Sequence, residues 1–352
     1  LNESFSAPPD NGYETVKSVK RVDKLEIEAC PAGQFNRLFI ELIENGIGRP
    51  VQVPVVVARG KKDGPIFGLS AALHGNELNG IPVIHRLLQK VNLKSLTGTI
   101  VCVIVANIPG LLNEQREFND GRDLNHIMPG KAHGNRSQTY AHELVERITS
   151  HFDYLVDLHT ASEGRVNSLY VRADMKQETT AQMAYLLRPQ IIVHNPPSDY
   201  TLRGVADEHD KPAITVEICD PQRFQKDPGT RCLQGLRRIL SHIGMVPGRQ
   251  VPLPEPPVIC KKSYWLFTDR GGLLRVIPEV TDVVKQGDLI ATQINVFGDV
   301  IRQYHAPEDG IVIGKSVNPV SQTGARILHL GVLMDQTGLQ QLVEISDGVV
   351  DE

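Results

Sequence analysis

The sequence predicts an α/β protein in which a three-layer α/β/α domain is followed by a small all-β sandwich or barrel. Three observations lead there. Apolar runs of strand length alternate with helical patterns as far as His242, a proline-dense stretch between Met245 and Pro257 interrupts the chain, and short strands rich in Val, Ile and Leu follow it.

In chain order, the strand candidates before the interruption are Arg37–Ile43, Val51–Ala58, Pro65–Leu73, Thr99–Ala106, Tyr154–Leu158, Ile191–His194 and Ala213–Ile218. Between them, Leu78–Val91, Thr139–Ser150, Glu178–Leu187 and Thr230–His242 repeat apolar residues at the spacing of a helix with one buried face. Helices that alternate with fully apolar strands cover both faces of a sheet, hence three layers. The interruption holds Pro247, Gly248, Pro252, Pro254, Pro256 and Pro257, which can sustain neither a helix nor a central strand. Residues 247–257 therefore read as a linker between an α/β domain over 1–246 and a β domain over 258–352. Within the β domain Val284, Gly287 and Ile290 are echoed by Val320, Gly324 and Ile327, and Ala306–Gly310 is a turn, so two similar halves are expected to fold into one sandwich.

A chain of 352 residues has length for two to three domains at the usual ~150 residues each. With 37 basic against 41 acidic residues and no basic stripe, nothing would neutralise a phosphate backbone, so no nucleic-acid partner is expected. The apolar runs fall well short of the ~20 residues that span a bilayer, so no membrane partner is expected. Five scattered cysteines without a CxxC pair fit reduced thiols, and the chain's beginning shows no basic segment leading into an apolar run; a cytoplasmic location is expected.

The chemistry concentrates at strand ends. His74 and Glu77 form an HxxE pair after the apolar run Pro65–Leu73. The same spacing recurs at His305–Glu308 beside a proline turn, so spacing alone carries little. His74 differs in lying where open α/β sheets place their ligands, at the carboxyl end of a strand. His159 ends another apolar strand, so two strand ends could supply one metal with two nitrogens and a carboxylate. Asp157 shares the face of His159 at period two and could orient it. Glu217 follows the apolar run Ala213–Val216, where a carboxylate is costly without a charged partner or a task such as general base. A histidine satisfied within the core and a buried ion pair at Glu217 are the plain alternatives.

Between these positions lie Asn107-Ile108-Pro109-Gly110, Arg116, Asp123-Leu124-Asn125 and Pro129-Gly130, a loop richer in hydrogen-bond donors than a connection needs. The ordered series HxxE, NxPG, Arg, DLN, PG, DLH and a late strand Glu, spanning Pro65–Asp220, resembles the zinc succinylglutamate desuccinylase and aspartoacylase family, relatives of the zinc carboxypeptidases. Gly271-Gly272, Gly287-Asp288 and the Ala306–Gly310 turn resemble that family's carboxyl-terminal domain.

The resemblance implies a zinc-carboxypeptidase-like catalytic domain that hydrolyses the amide bond of a small N-acylated amino acid or related amine. His74, Glu77 and His159 would hold one zinc ion, and Glu217 would be the general base. Arg116 would stabilise the oxyanion, and Asp123 would accept a hydrogen bond from a ligand histidine. Asn125 would bind substrate. The next position, usually an arginine that clamps a substrate carboxylate, is His126 here. A largely neutral imidazole cannot form that bidentate pair, so either Arg122 or Arg203 takes the role or the substrate lacks a carboxylate there. Tyr170, Arg172 and Arg203 are candidates for the pocket wall.

The tail also resembles lipoyl and biotinyl carriers. Lys315 sits near the second half-repeat without the MKM or DK signature of a modified lysine, so an unmodified domain is expected, one that helps close the active site or supports a homo-oligomer. A metallocarboxypeptidase acting on peptides and a catalytically silent member of the family are the competing readings.

Overall fold

The computed structural model describes residues 19–197, 200–248 and 255–334. Its strands are β1 (Lys20–Val22), β2 (Gln34–Glu44), β3 (Pro50–Arg59), β4 (Lys62–Ala71), β5 (Thr97–Val103), β6 (Tyr154–His159), β7 (Arg165–Asn167), β8 (Leu169–Ala173), β9 (Ile191–His194) and β10 (Ala213–Ile218). There follow β11 (Val258–Phe267), β12 (Gly272–Val276), β13 (Val283–Val284), β14 (Leu289–Ile294), β15 (Val300–His305), β16 (Gly310–Ser316), β17 (Val320–Ser321) and β18 (Arg326–Leu333). The helices are α1 (Gly80–Lys90), α2 (Ile108–Leu112), α3 (Arg136–Arg147), α4 (Glu178–Leu187), α5 (Leu202–Glu208) and α6 (Lys226–His242).

At the centre β5, β4, β6 and β10 run parallel, their Val, Ile and Leu side chains buried on both faces. One face packs on α1, α4 and α6 through residues such as Val83, Leu87, Ala184, Leu236 and Ile239. The other packs on α3 and α5 through Tyr140, Leu144, Leu202 and Val205. These two cores are the three layers. α3 starts three residues before the expected Thr139, because Asn135 and Gln138 form a reciprocal capping box that satisfies the first free N–H groups of the helix.

The sheet does not stop at the proline-rich stretch. β11 pairs in parallel with β9 and antiparallel with β18, and β16 pairs with β18 and with β7, so one ladder runs from the α/β part into the carboxyl-terminal part. A second, antiparallel sheet in the order β15-β14-β12-β17 closes the small β unit over a core of Ile290, Ala291, Val312, Leu328 and Leu330. Of the proposed linker, residues 249–254, with Pro252 and Pro254, lie outside the described residues, as do 1–18 and 335–352 of the two proposed domains. No helix among the described residues is long and apolar enough to cross a membrane.

Lys315 is buried, its ammonium donating to the Pro278 carbonyl at 3.0 Å and pairing with Glu279 at 2.8 Å. In the second HxxE copy, Glu308 accepts from Tyr264 and Lys262 at the surface of this unit and has no histidine partner among the described residues.

Candidate metal centre and active site

β4 ends at Ala71, and Ala72 turns the chain out of the strand at φ 51°, a left-handed conformation that costs a non-glycine residue ~1–2 kcal/mol. Cys219, just past β10, does the same at φ 55°. Both bends lie at strand ends that carry site residues. The loop after Ala72 is pinned by the Asn107 side chain, which donates to the Leu73 carbonyl at 3.2 Å and accepts from the Gly110 N–H at 2.9 Å at the start of α2. Gly75 is needed here, since a Cβ would fall 2.0 Å from the Gly110 carbonyl carbon. So fixed, the loop buries His74 and Glu77 at 3% and 1% exposure.

His159 closes β6, in the strand next to β4. Register places Ser70 opposite Asp157, and the Ser70 hydroxyl donates to one Asp157 oxygen at 2.5 Å while the other lies 2.6 Å from His159 Nε2. The Nε2 of His74 likewise lies 3.0 Å from Asp123. Because each Nε2 faces a carboxylate, each ring keeps its proton there and presents a bare Nδ1. The two Nδ1 atoms sit 3.1 Å apart, and Glu77 lies 3.0 Å from each. Ligand atoms of His74, Glu77 and His159 all fall within 4.8 Å of one another. Two lone pairs and a carboxylate aimed at one point satisfy each other only with an added positive charge, a proton or a metal ion, and two imidazoles with a carboxylate are a donor set that suits zinc. Without a metal the proton is favoured. Burial works against charge on both histidines, but Glu77 with Asp123 on His74, and Asp157 with Glu77 on His159, hold both above the ordinary imidazole value. Burial would raise the Glu77 carboxyl too, yet the two histidines hold it well below the carboxylate range.

Arg116 spans this cluster. Its guanidinium donates to Glu77 at 2.7 Å, to the Ser162 hydroxyl at 2.6 Å and to Asp123 at 3.0 Å. Asp123 thereby ties Arg116 to His74. On β10 the parallel register sets Glu217 beside His159. Burial, then the charge of Glu77, raise the Glu217 carboxyl, with Arg172 opposing at 3.8 Å. The Asn167 amide approaches Glu217 at 3.4 Å from β7, its own side-chain oxygen buried without a hydrogen-bond partner among the described residues.

His74, Glu77, Arg116, His159, Arg172 and Glu217 line a cleft of about 330 Å³. Asn125 lines it, anchored by accepting from the Leu202 N–H at 2.8 Å. His126 lines it with its side chain 74% exposed, 4.0 Å from Asp123. Arg122 is exposed and is not among the cleft residues. The reason is local: in the Leu124–His126 turn, capped by Asp123, Asn125 and His126 reach the cleft, Leu124 is buried in the core, and Arg122 before the turn is left in solvent. Tyr170, Arg172 and Arg203 all line the wall. Arg203 is buried and committed to the Asn195 carbonyl and side-chain oxygen at 2.7 and 2.6 Å, and burial lowers it to about 10.

Sequence reasoning missed Ser162, Arg165, Asn167, Trp265 and Arg326, all cleft residues. The last two come from β11 and β18 of the carboxyl-terminal part. The single tryptophan was the one available signal.

The fold is shared with known proteins. The model of the succinylglutamate desuccinylase/aspartoacylase catalytic domain matches residues 63–243. N-alpha-acetyl-L-2,4-diaminobutyric acid deacetylase of Halomonas elongata is 22% identical over 304 residues, 82% of this chain and 88% of that protein. The product-bound ectoine utilization protein EutE of Ruegeria pomeroyi superposes with a TM-score of 0.78 at 21% identity, covering 85% of this chain and 95% of that one. A succinylglutamate desuccinylase/aspartoacylase from Rhodobacter sphaeroides gives 0.76 at 19% identity, covering 85% and 96%.

Proposed function

This chain belongs to the succinylglutamate desuccinylase/aspartoacylase family, and on that premise we propose that it hydrolyses the amide bond of a small N-acylated amino acid or related amine, with one zinc ion held by His74, Glu77 and His159. The observation that carries the reading is a convergence: two bare imidazole nitrogens and a carboxylate meet at one point, with the Glu217 carboxylate on the adjacent strand and the Arg116 guanidinium beside them. The relatives' deacetylase and desuccinylase names support amide hydrolysis. A cleft of about 330 Å³ is at the small end for ligand sites and suits an acylated amino acid better than a peptide.

Zinc at this point would supply Lewis acidity to the scissile carbonyl and the attacking water. Glu217, with its raised proton affinity, takes the proton of that water and returns it to the departing nitrogen. Arg116 holds the carbonyl oxygen as negative charge develops, a task for which its rigid fork is suited. Asp123 fixes both Arg116 and His74, and Asp157 fixes His159. Asn125 and His126 contact the bound substrate, with His126 too exposed to act as a rigid carboxylate clamp. A small-molecule substrate and a cytoplasmic setting, in keeping with five free cysteines, complete the proposal.

The test is metal content of the purified protein followed by amine release from N-acetyl, N-formyl and N-succinyl amino acids and their amides. One zinc per chain with release, and a Glu217→Gln variant that keeps its zinc but loses at least ~100-fold in kcat, is the expected result. Full turnover by that variant removes Glu217 from the mechanism.

A further inference from the structure

Two guanidiniums in the cleft have no part in the mechanism above and no carboxylate partner among the described residues: Arg165 at the start of β7 and Arg326 at the start of β18. The other cleft arginines are engaged, Arg116 with Glu77 and Asp123, Arg172 with Tyr170 and Glu217, and Arg203 with Asn195. Arg165 and Arg326 instead gather on one aromatic ring. Their Cζ atoms lie 5.8 and 5.4 Å from the centroid of Trp265.

That ring is held in place. Trp265 stands directly opposite His329 in the β11–β18 ladder, and the two rings stack at 5.0 Å and 11°. His329 is itself buried and bonded to the Ser263 hydroxyl at 2.9 Å. β16 of the carboxyl-terminal part carries Ser316 in register with Arg165, so the same β unit positions both arginines and the ring between them. Like charges gathered in this way repel each other, and Arg326 already has its guanidinium lowered by burial and by the charge of Arg116. Arg165 and Arg326 therefore add two positive charges to this end of the cleft with no carboxylate paired to them among the described residues.

We infer that Arg165 and Arg326, supported on Trp265, clamp a carboxylate of the substrate remote from the scissile amide, carried on the amino-acid side chain or on the acyl chain. Planar forks and a planar two-oxygen anion match in shape, and pre-placement of the guanidiniums on the ring lowers the ordering cost of binding. A cationic group at that end is repelled. The clamp rests on the deacylase reading for the position of the rest of the substrate, and it assigns the specificity of this chain to residues from both of its parts.

The test compares kcat/KM of the zinc-loaded wild type, Arg165→Gln, Arg326→Gln and the double variant on matched substrates. N-acetylglutamate is set against N-acetylglutamine and N-acetylornithine, and N-succinylglycine against N-butyrylglycine. The wild type is expected to prefer the charged member of at least one pair by about tenfold or more and to reject the ornithine compound. Each single variant is expected to lose about tenfold on that charged substrate, mainly through KM, while the neutral partner stays within about twofold, which also reports an intact fold. Equal turnover of charged and neutral partners by the wild type, or equal losses on both in the variants, overturns the clamp and leaves the deacylase reading standing. Calorimetric binding of N-acetylglutamate, N-acetylglutamine, N-succinylglycine and N-butyrylglycine to the metal-free protein separates the two claims. Binding that favours a charged member and is lost in the variants supports the clamp even if nothing is hydrolysed, an outcome that sinks only the deacylase reading. Binding with no such preference, together with no turnover, sinks both.

Discussion

Removing Asp157 tests whether the tautomer of His159 is maintained from behind. The carboxylate is 1% exposed, accepts from Ser70 at 2.5 Å and lies 2.6 Å from His159 Nε2. In Asp157→Asn the amide oxygen can stay on His159 while the NH₂ group turns to Ser70, whose hydroxyl is free to accept instead. What is lost is the charge. A hydrogen bond to a charged group contributes ~1.5–3 kcal/mol against ~0.5–1.5 for a neutral one, a difference of ~1–1.5 kcal/mol. Since 1.4 kcal/mol is a factor of ten, zinc affinity is expected to fall by about tenfold. Asp157→Ala goes further. It leaves the Ser70 hydroxyl and the His159 N–H facing a dry gap and frees His159 to move its proton to Nδ1, the atom that lies 3.1 Å from His74 Nδ1. The loss there is expected to approach a hundredfold, the upper range for second-layer partners of metal ligands. Competition with a chelator of known affinity measures both values, and the gain in Tm on adding zinc gives an independent reading through linkage. An alanine variant that binds zinc as tightly as the wild type would refute the claim that Asp157 sets the donor nitrogen.

Two further outcomes follow from packing and burial. Gly75→Ala places a methyl group 2.0 Å from the Gly110 backbone, so it is expected to cost ~3 kcal/mol or more and to weaken zinc binding with it; denaturant unfolding checks the first and chelator competition the second, and an unchanged midpoint would mean that the loop has room. His329 is held neutral well below the ordinary imidazole value, by burial first and then by Arg172 and Arg326. Its unfolded form takes up a proton below ~6.5 while its folded form does not, so the wild type is expected to lose stability relative to His329→Gln as pH falls from 7 to 5, at no more than ~1.4 kcal/mol per pH unit. Parallel stability curves for the two proteins would contradict this.

Much of the candidate site was readable from the linear sequence because its residues sit where local rules are strong. An apolar strand that ends in a polar residue advertises a sheet edge facing ligand: His74 lies just past β4, His159 closes β6 and Glu217 is the next-to-last residue of β10. Arg122 is exposed and not among the cleft residues, because nearness in sequence to Asn125 says nothing about which side of a capped turn a side chain occupies. The three-residue β7 is too short to show a period, so neither Arg165 nor Asn167 stood out.

The sequence by itself determined the alternation of buried strands and helices, and it picked out the two histidines and the carboxylate that converge at the candidate metal centre and the loop that carries Arg116, since each shows in a few neighbouring residues. Only the tertiary structure decided that β11, β16 and β18 extend the ladder of the first part and bring Trp265 and Arg326 into its cleft. Arg165 and Arg326 are separated by a long stretch of chain. No local pattern encodes such a meeting, because backbone pairing between distant strands creates it only after the whole sheet has formed.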